Sequence, residues 1–275
     1  MKAESATMIA DVVEHLRPKG SYSIWIWRLL VGAALLIFWQ WAAGTLIREA
    51  YLAKPTSVMW RLYELFATAA IWVHIRVTLT EVVIGYLMGS FLGLAVGFLL
   101  GSSRFLAVVF EPYVMAFYGI PRIALAPIFI IVLGIGIWSK VAVVFIQVFF
   151  MLFINAYAGV REINQEYLQL ARIMGAKGGL ILRKIIIPST MPFIMLGLRS
   201  AVPYAVVGAV VGEFIAASKG LGYFINYAGS TFDSAGAFAG IFILLAFIMA
   251  ANGLMQWLER TVIKWRRSEG MVVQG

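Results

Sequence analysis

The sequence predicts an all-α membrane protein with six transmembrane helices, and three observations carry that expectation. Of its 275 residues 62% are hydrophobic and only 13% are charged, with a mean hydropathy of +0.91, a balance outside the range of soluble folds. The apolar residues gather in runs long enough to cross a bilayer. Lys and Arg collect at the ends of those runs: six spans with both termini inside place 14 of them on the cytoplasmic side and six outside, leaving Arg122 and Arg199 near span ends. The formal charge of +9 therefore reads as a topology signal and not as a nucleic-acid footprint.

Taken in order, residues 1–23 place Met8, Ile9, Val12, Val13 and Leu16 on one helical face, which suggests a short surface helix on the cytoplasmic side. Asp11 and Glu14 interrupt any signal-peptide pattern and no small-residue cleavage site follows, so the first span, 24–46, is expected to stay in the mature protein. Trp25, Trp27, Trp39 and Trp41 flank it as interfacial aromatics do. After Lys54-Pro55, the spacing of Val58, Leu62, Leu65 and Phe66 predicts a helix lying along the outer interface. The second span, 77–100, carries Gly85, Gly89, Gly93, Gly97 and, at its end, Gly101, a smooth stripe against which another helix packs, either statically or as a moving contact.

Residues 105–133 exceed the length of one span, and Pro112, Pro121 and Pro127 predict a broken helix, tolerated at membrane depth where it lines protein or a water-filled path. The run Gly134-Ile135-Gly136-Ile137-Trp138-Ser139-Lys140 lacks the spacing of a phosphate-binding loop and reads as a tight outer turn. The fourth span is 141–158, and the fifth is 193–217, with Gly208 and Gly212 four residues apart. An outer loop covers 218–235, the sixth span is 239–258, and a basic tail at 261–275 ends in the cytoplasm.

Between the fourth and fifth spans, residues 161–192 form the only long polar run between strongly apolar segments. Ile163, Tyr167, Leu170 and Met174 share one helical face and Asn164, Gln165, Gln169 and Arg172 the other. Gly175 is free to take positive φ, and a second short helix from Lys177 to Ile187 is expected to stop at Pro188. Five basic residues against two acidic ones give the loop +3, so it belongs on the cytoplasmic side. Such a hairpin lies on lipid headgroups or fits a groove in a soluble partner, and periodicity alone favours neither.

An ionised side chain at span centre costs about 2.5 to 3.5 kcal/mol on insertion scales, so Arg122, Arg199 and Glu213 each need compensation. The arginines either snorkel to headgroups or draw an anion toward a path. Glu213 either pairs with an arginine of another span or meets solute. There is no cysteine, and His15 and His74 lie far apart, so neither a metal site nor a nucleophile relay is expected.

The spacing Gln169-Leu170-Ala171, three residues, Gly175, nine residues, Ile185-Ile186-Ile187-Pro188 resembles the E-A-A-x3-G-x9-I-x-L-P signature of bacterial ABC importer permeases. Gln169 stands for Glu, Leu170 for Ala and Ile187 for Leu, and Glu81 occupies a position where relatives usually carry Arg. Further matches run along the chain: Leu52-Ala53-Lys54-Pro55, Thr78-Leu79, Gly85-Tyr86, Ile120-Pro121, Ala124 to Pro127, Gly134-Ile135-Gly136, Gly197-Leu198-Arg199 and Gly220-Leu221-Gly222. Together they are similar to the nitrate/sulfonate/taurine-type permeases. The resemblance implies a type I ABC importer permease fold with cytoplasmic coupling helices, in which Gln169, Leu170, Ala171, Gly175, Ala176, Ile185 and Pro188 serve ATPase coupling. It further implies a homodimer in the bacterial cytoplasmic membrane, two cytosolic ATPase subunits and an extracytoplasmic (periplasmic) solute-binding protein. ATP and Mg would sit on the ATPase, this chain would bind no cofactor and catalyse nothing itself, and the solute would be a small anion. The alternatives are the same importer class carrying a vitamin precursor or aromatic acid, an ATP-independent secondary transporter or channel, or an intramembrane enzyme.

Overall fold

The computed structural model describes residues 21–262, so the surface helix expected in 1–23 and the tail from 263 onward fall almost wholly outside the described residues. The described residues fold as helices joined by short turns. In chain order these are α1 (Ser21–Thr45), α2 (Pro55–Ala67), α3 (Ile71–Ser102), α4 (Arg104–Gly119), a 3₁₀ turn at Arg122–Leu125, and α5 (Ala126–Leu133). There follow α6 (Ile137–Arg161), α7 (Gln165–Ile173), α8 (Gly178–Ala216), α9 (Leu221–Ser230) and α10 (Ser234–Val262). Five of these are long and apolar enough to span a membrane, and α4 with the 3₁₀ turn and α5, bent by 83°, makes a sixth if the pair is one span.

The core is α6, whose Val144, Val148, Leu152 and Ala156 are fully buried between α3 and α8. On the α3 side the glycine stripe does what its spacing predicts. A Cβ at Gly85 would come within 2.5 Å of Val144, at Gly89 within 2.8 Å of the Phe145 carbonyl, at Gly93 within 2.5 Å of the Phe149 carbonyl, and at Gly101 within 2.8 Å of Val160. Each four-residue step along α3 is matched by a four-residue step in the same direction along α6, so the two helices run parallel. Parallel neighbours require the chain between them to return across the bundle, and the broken segment α4–α5 makes that return. On the opposite side Gly212 packs on Lys140, Gly208 on Val144 and Gly197 on Asn155, so α8 runs antiparallel to α6, as the short connection through α7 dictates.

Three local expectations change. Of the prolines in 105–133 only Pro121 marks the break: Pro112 stays inside α4, and Pro127 occupies the first turn of α5, where its missing N–H costs nothing. The helix after Gly175 does not stop at Pro188 but runs on into the fifth span, because a π turn at Leu182–Ile186 shifts the register and the Ile187 N–H donates to the Leu182 carbonyl. The outer loop 218–235 contains the helix α9, with Leu221, Gly222 and Ala228 buried.

The amphipathic helix expected after Pro55 is present, with Val58 and Leu65 buried. It is tied to the chain by Arg61, which bonds Glu64 at 2.7 Å and Asp233 at 2.9 Å. Trp39 holds α1 beside it, donating from Nε1 to the Ala53 carbonyl at 3.1 Å and packing on Phe238 and Phe242 of α10. The span window of α1 is otherwise unburied, leaving Leu29, Leu35, Ile37 and Phe38 for lipid or another chain. Gly134, with φ +79°, and extended Gly136 form the expected tight turn before α6.

Candidate functional site

The signature residues of 161–192 form a defined piece of backbone. Asn164 caps α7 by accepting from the Glu166 N–H at 2.8 Å. At the other end Gly175 takes φ +81° and donates to the Arg172 carbonyl at 3.0 Å, while Ala176 N–H donates to the Ala171 carbonyl at 2.9 Å. This is the Schellman pattern, which explains physically why glycine stands at 175. The face expected to be apolar is not buried within the chain: Tyr167, Leu170 and Met174 are exposed, as is Ile173, at 83%. Ile163 is buried but precedes the helix. Leu168 and Arg172 instead turn toward a 540 Å³ cleft with Arg104, Arg161, Ile163 and Ile181, so α7 sits on the bundle by one side and offers an apolar side outward. Gln169 is exposed, Ile185 and Pro188 are half-buried in and just after the π turn, and Ala171 and Ala176 are half-buried.

Arg122 and Arg199 are not near span ends. The break at Pro121 is exposed but level with the middle of α6: the half-buried Arg122 guanidinium stacks over Tyr118 at 4.9 Å and over Phe150 at 5.7 Å. Because α8 starts at Gly178, Arg199 also falls well inside a helix, two residues beyond Gly197, which touches Asn155 and Leu152. Its side chain is exposed. Two arginines thus stand level with the middle of α6, one at a helix break and one on a long helix.

Glu213 does not meet an arginine. It is 1% exposed at the end of the bundle opposite α7, accepts from Thr78 Oγ1 at 2.6 Å and from the Gly222 N–H, and lies against the buried carboxyl of Glu81. Thr78 accepts in turn from the Leu221 N–H at 2.7 Å, and the Gly220 N–H donates to His74 Nδ1 at 3.1 Å. Gly220, at φ +117°, and Gly222 leave the space that the carboxyl fills. In the sequence Thr78 and Gly220-Leu221-Gly222 stand out only as family matches; the local signal for this cluster is two glycines that follow an interior acid closely enough to wrap it. Gly220→Ala is expected to lower stability by about 2 kcal/mol or more, combining left-handed strain with a Cβ on the Glu213 carboxyl. A drop in the thermal midpoint in detergent, with none for Gly229→Ala, where a Cβ meets open space, would bear this out; equal midpoints would contradict it.

Comparisons with known proteins converge on one family. The model of the binding-protein-dependent transport system inner membrane component family matches residues 85–264. The formylaminopyrimidine transport permease protein ThiX of Halalkalibacterium halodurans is 34% identical over 235 residues, covering 86% of this chain and 94% of that protein. The putative aliphatic sulfonates transport permease protein SsuC of Bacillus subtilis is 29% identical over 273 residues, covering 98% and 99%. Among solved structures, an inward-facing MetNI methionine ABC transporter chain superposes with a TM-score of 0.63 at 20% identity, covering 70% of this chain and 98% of that one, which establishes a shared fold.

Proposed function

Because this chain belongs to the family of binding-protein-dependent transport system inner membrane components, we propose that it is the membrane subunit of an ATP-driven importer for a small anionic solute. Two copies would form the path, a periplasmic binding protein would deliver the solute, and two cytosolic ATPase subunits, carrying ATP and Mg, would dock on α7. Both termini would lie in the cytoplasm of a bacterial cell. The observation that carries this reading is the exposed apolar face Tyr167, Leu170, Ile173 and Met174, on a capped helix whose Schellman turn leads into a helix continuous from Gly178 to Ala216. Such a face fits a preformed groove, and the unbroken α8 transmits its displacement into the bundle. Gln169 in place of the family's Glu makes this docking depend on apolar contact and the turn, without a carboxylate.

Support for an anion comes from Arg122 and the exposed Arg199, which level with the middle of α6 would be costly against hydrocarbon and would be accommodated by a water-filled path. In proteoliposomes containing the full complex, Arg122→Gln is expected to slow uptake of ethanesulfonate about tenfold, while the ATPase still co-purifies. Unchanged uptake at normal expression would return Arg122 to a purely structural role over Tyr118 and Phe150. The second reading, a pyrimidine vitamin precursor, is favoured by the 34% identity to ThiX, and the same vesicles taking up a formylaminopyrimidine but not ethanesulfonate would select it.

A further inference from the structure

At the end of the bundle opposite α7, a cleft of 370 Å³ opens between α3, the start of α6 and the turn after α8, lined by Arg76, Thr80, Glu81, Gly136, Lys140 and Lys219 among others. It shares no residue with the α7 face or the mid-bundle arginines. Three cations from three separate elements meet here against one lining carboxylate. Arg76 and Lys219 are exposed, and among the described residues neither is in an ion pair. Lys140 is 5% exposed, and its Nζ has one acceptor, the Gly136 carbonyl at 3.0 Å, although an ammonium carries three donors. Glu81 lies close enough to offset part of its charge but makes no ion pair with it, and a lysine buried with spare donors stays expensive unless a further acceptor visits it. Glu81 is 2% exposed and lies against the Glu213 carboxyl, so it faces the interior more than the mouth of the cleft.

We propose that this cleft binds a small organic acid, its oxyanion held by Arg76, Lys140 and Lys219. The cationic excess selects an acid, and guanidinium with two ammonium groups suits a sulfonate or carboxylate. Thr80 and the uncapped first turn of α6 add donors at the same mouth. The proposal rests on the reading of the chain as a solute carrier and adds where and by what chemistry the solute is held.

The test is equilibrium binding of radiolabelled 2-aminoethanesulfonate to the full chain in lipid nanodiscs. The expected result is saturable binding that the double variant Arg76→Gln/Lys219→Gln weakens about tenfold or more, since two charge-assisted contacts are lost from exposed positions that do not hold the fold. Ethanesulfonate should compete, and ethylamine should not. Arg260→Gln, exposed at the far end of α10, should bind as wild type. Lys140→Met, accepted only if its thermal midpoint is kept, should abolish binding. Equal binding by the double variant, or no saturation up to about 10 mM, overturns the assignment. If the intact complex imports solute with ATP while the double variant binds normally, only this site falls; if uptake needs no ATP, the importer reading falls and the binding result still decides the cleft.

Discussion

Replacing Gly93 by valine is expected to prevent α3 from seating on α6 and to leave little folded protein in detergent. Gly93 lies at the centre of the stripe, where even a Cβ would stand 2.5 Å from the Phe149 carbonyl and 3.0 Å from the Leu152 Cβ. Neither neighbour is the free end of a flexible side chain: one is backbone, and the other belongs to a residue with no exposed surface at all. The helices must therefore move apart, which opens the contacts at Gly89 and Gly97 on either side. Overpacking one site costs about 1 to 3 kcal/mol, and separating a helix pair along several turns exceeds that range. Gly253, where an added Cβ meets nothing within 4 Å, supplies the control. Size-exclusion profiles with thermal midpoints should show aggregated or strongly destabilised Gly93→Val beside near-normal Gly253→Val. A monodisperse Gly93→Val with an unchanged midpoint would mean that α3 and α6 do not pack this closely.

Gly175→Val should spare the membrane domain and break its connection to the energy source. At φ +81° a side chain costs about 1 to 2 kcal/mol of backbone strain, more for a β-branched residue, and alanine should be milder than valine. Within this chain a Cβ at 175 meets no atom within 4 Å, so the steric part of the effect depends wholly on a docked partner. Strain at the turn would also disturb the Schellman bonds from Gly175 to Arg172 and from Ala176 to Ala171, and with them the angle at which Tyr167, Leu170 and Met174 are presented. In one preparation, Gly175→Val should insert normally while ATPase co-purification falls or ATP-driven uptake is lost. Wild-type values for both would make the segment a headgroup-bound connector.

The parts of this fold readable in the sequence are those written in local periodicity. Glycines every four residues announce a close helix contact before the facing helix is known, and Gly175 announces its turn because a Schellman cap is a property of six consecutive residues. Proline was less reliable. Pro121 breaks a helix, whereas Pro188, just after the π turn at Leu182–Ile186, does not, and Pro112 and Pro192 are carried inside α4 and α8. Helix α9 was hidden because Gly222, Tyr223 and Asn226 resemble loop composition, while its stability comes from burial against α8 and α10. The depth of Arg122 and Arg199 depends on where Pro121 bends the chain and where α8 begins, both set by tertiary packing. Glu213 was recognised as an interior charge, but Thr78 and Glu81 lie more than a hundred residues away, and no local pattern joins them. Lys140, placed by its neighbours in an outer turn, is buried because α8 presents Gly212 to it.

The most direct measurement is solute uptake into proteoliposomes that hold this chain, its binding protein and ATP, prepared with and without the cytosolic ATPase subunit. The account predicts accumulation only when the ATPase is present and ATP is hydrolysed, with no hydrolysis by the chain alone. Uptake of equal size without the ATPase, driven by a proton gradient, would contradict it.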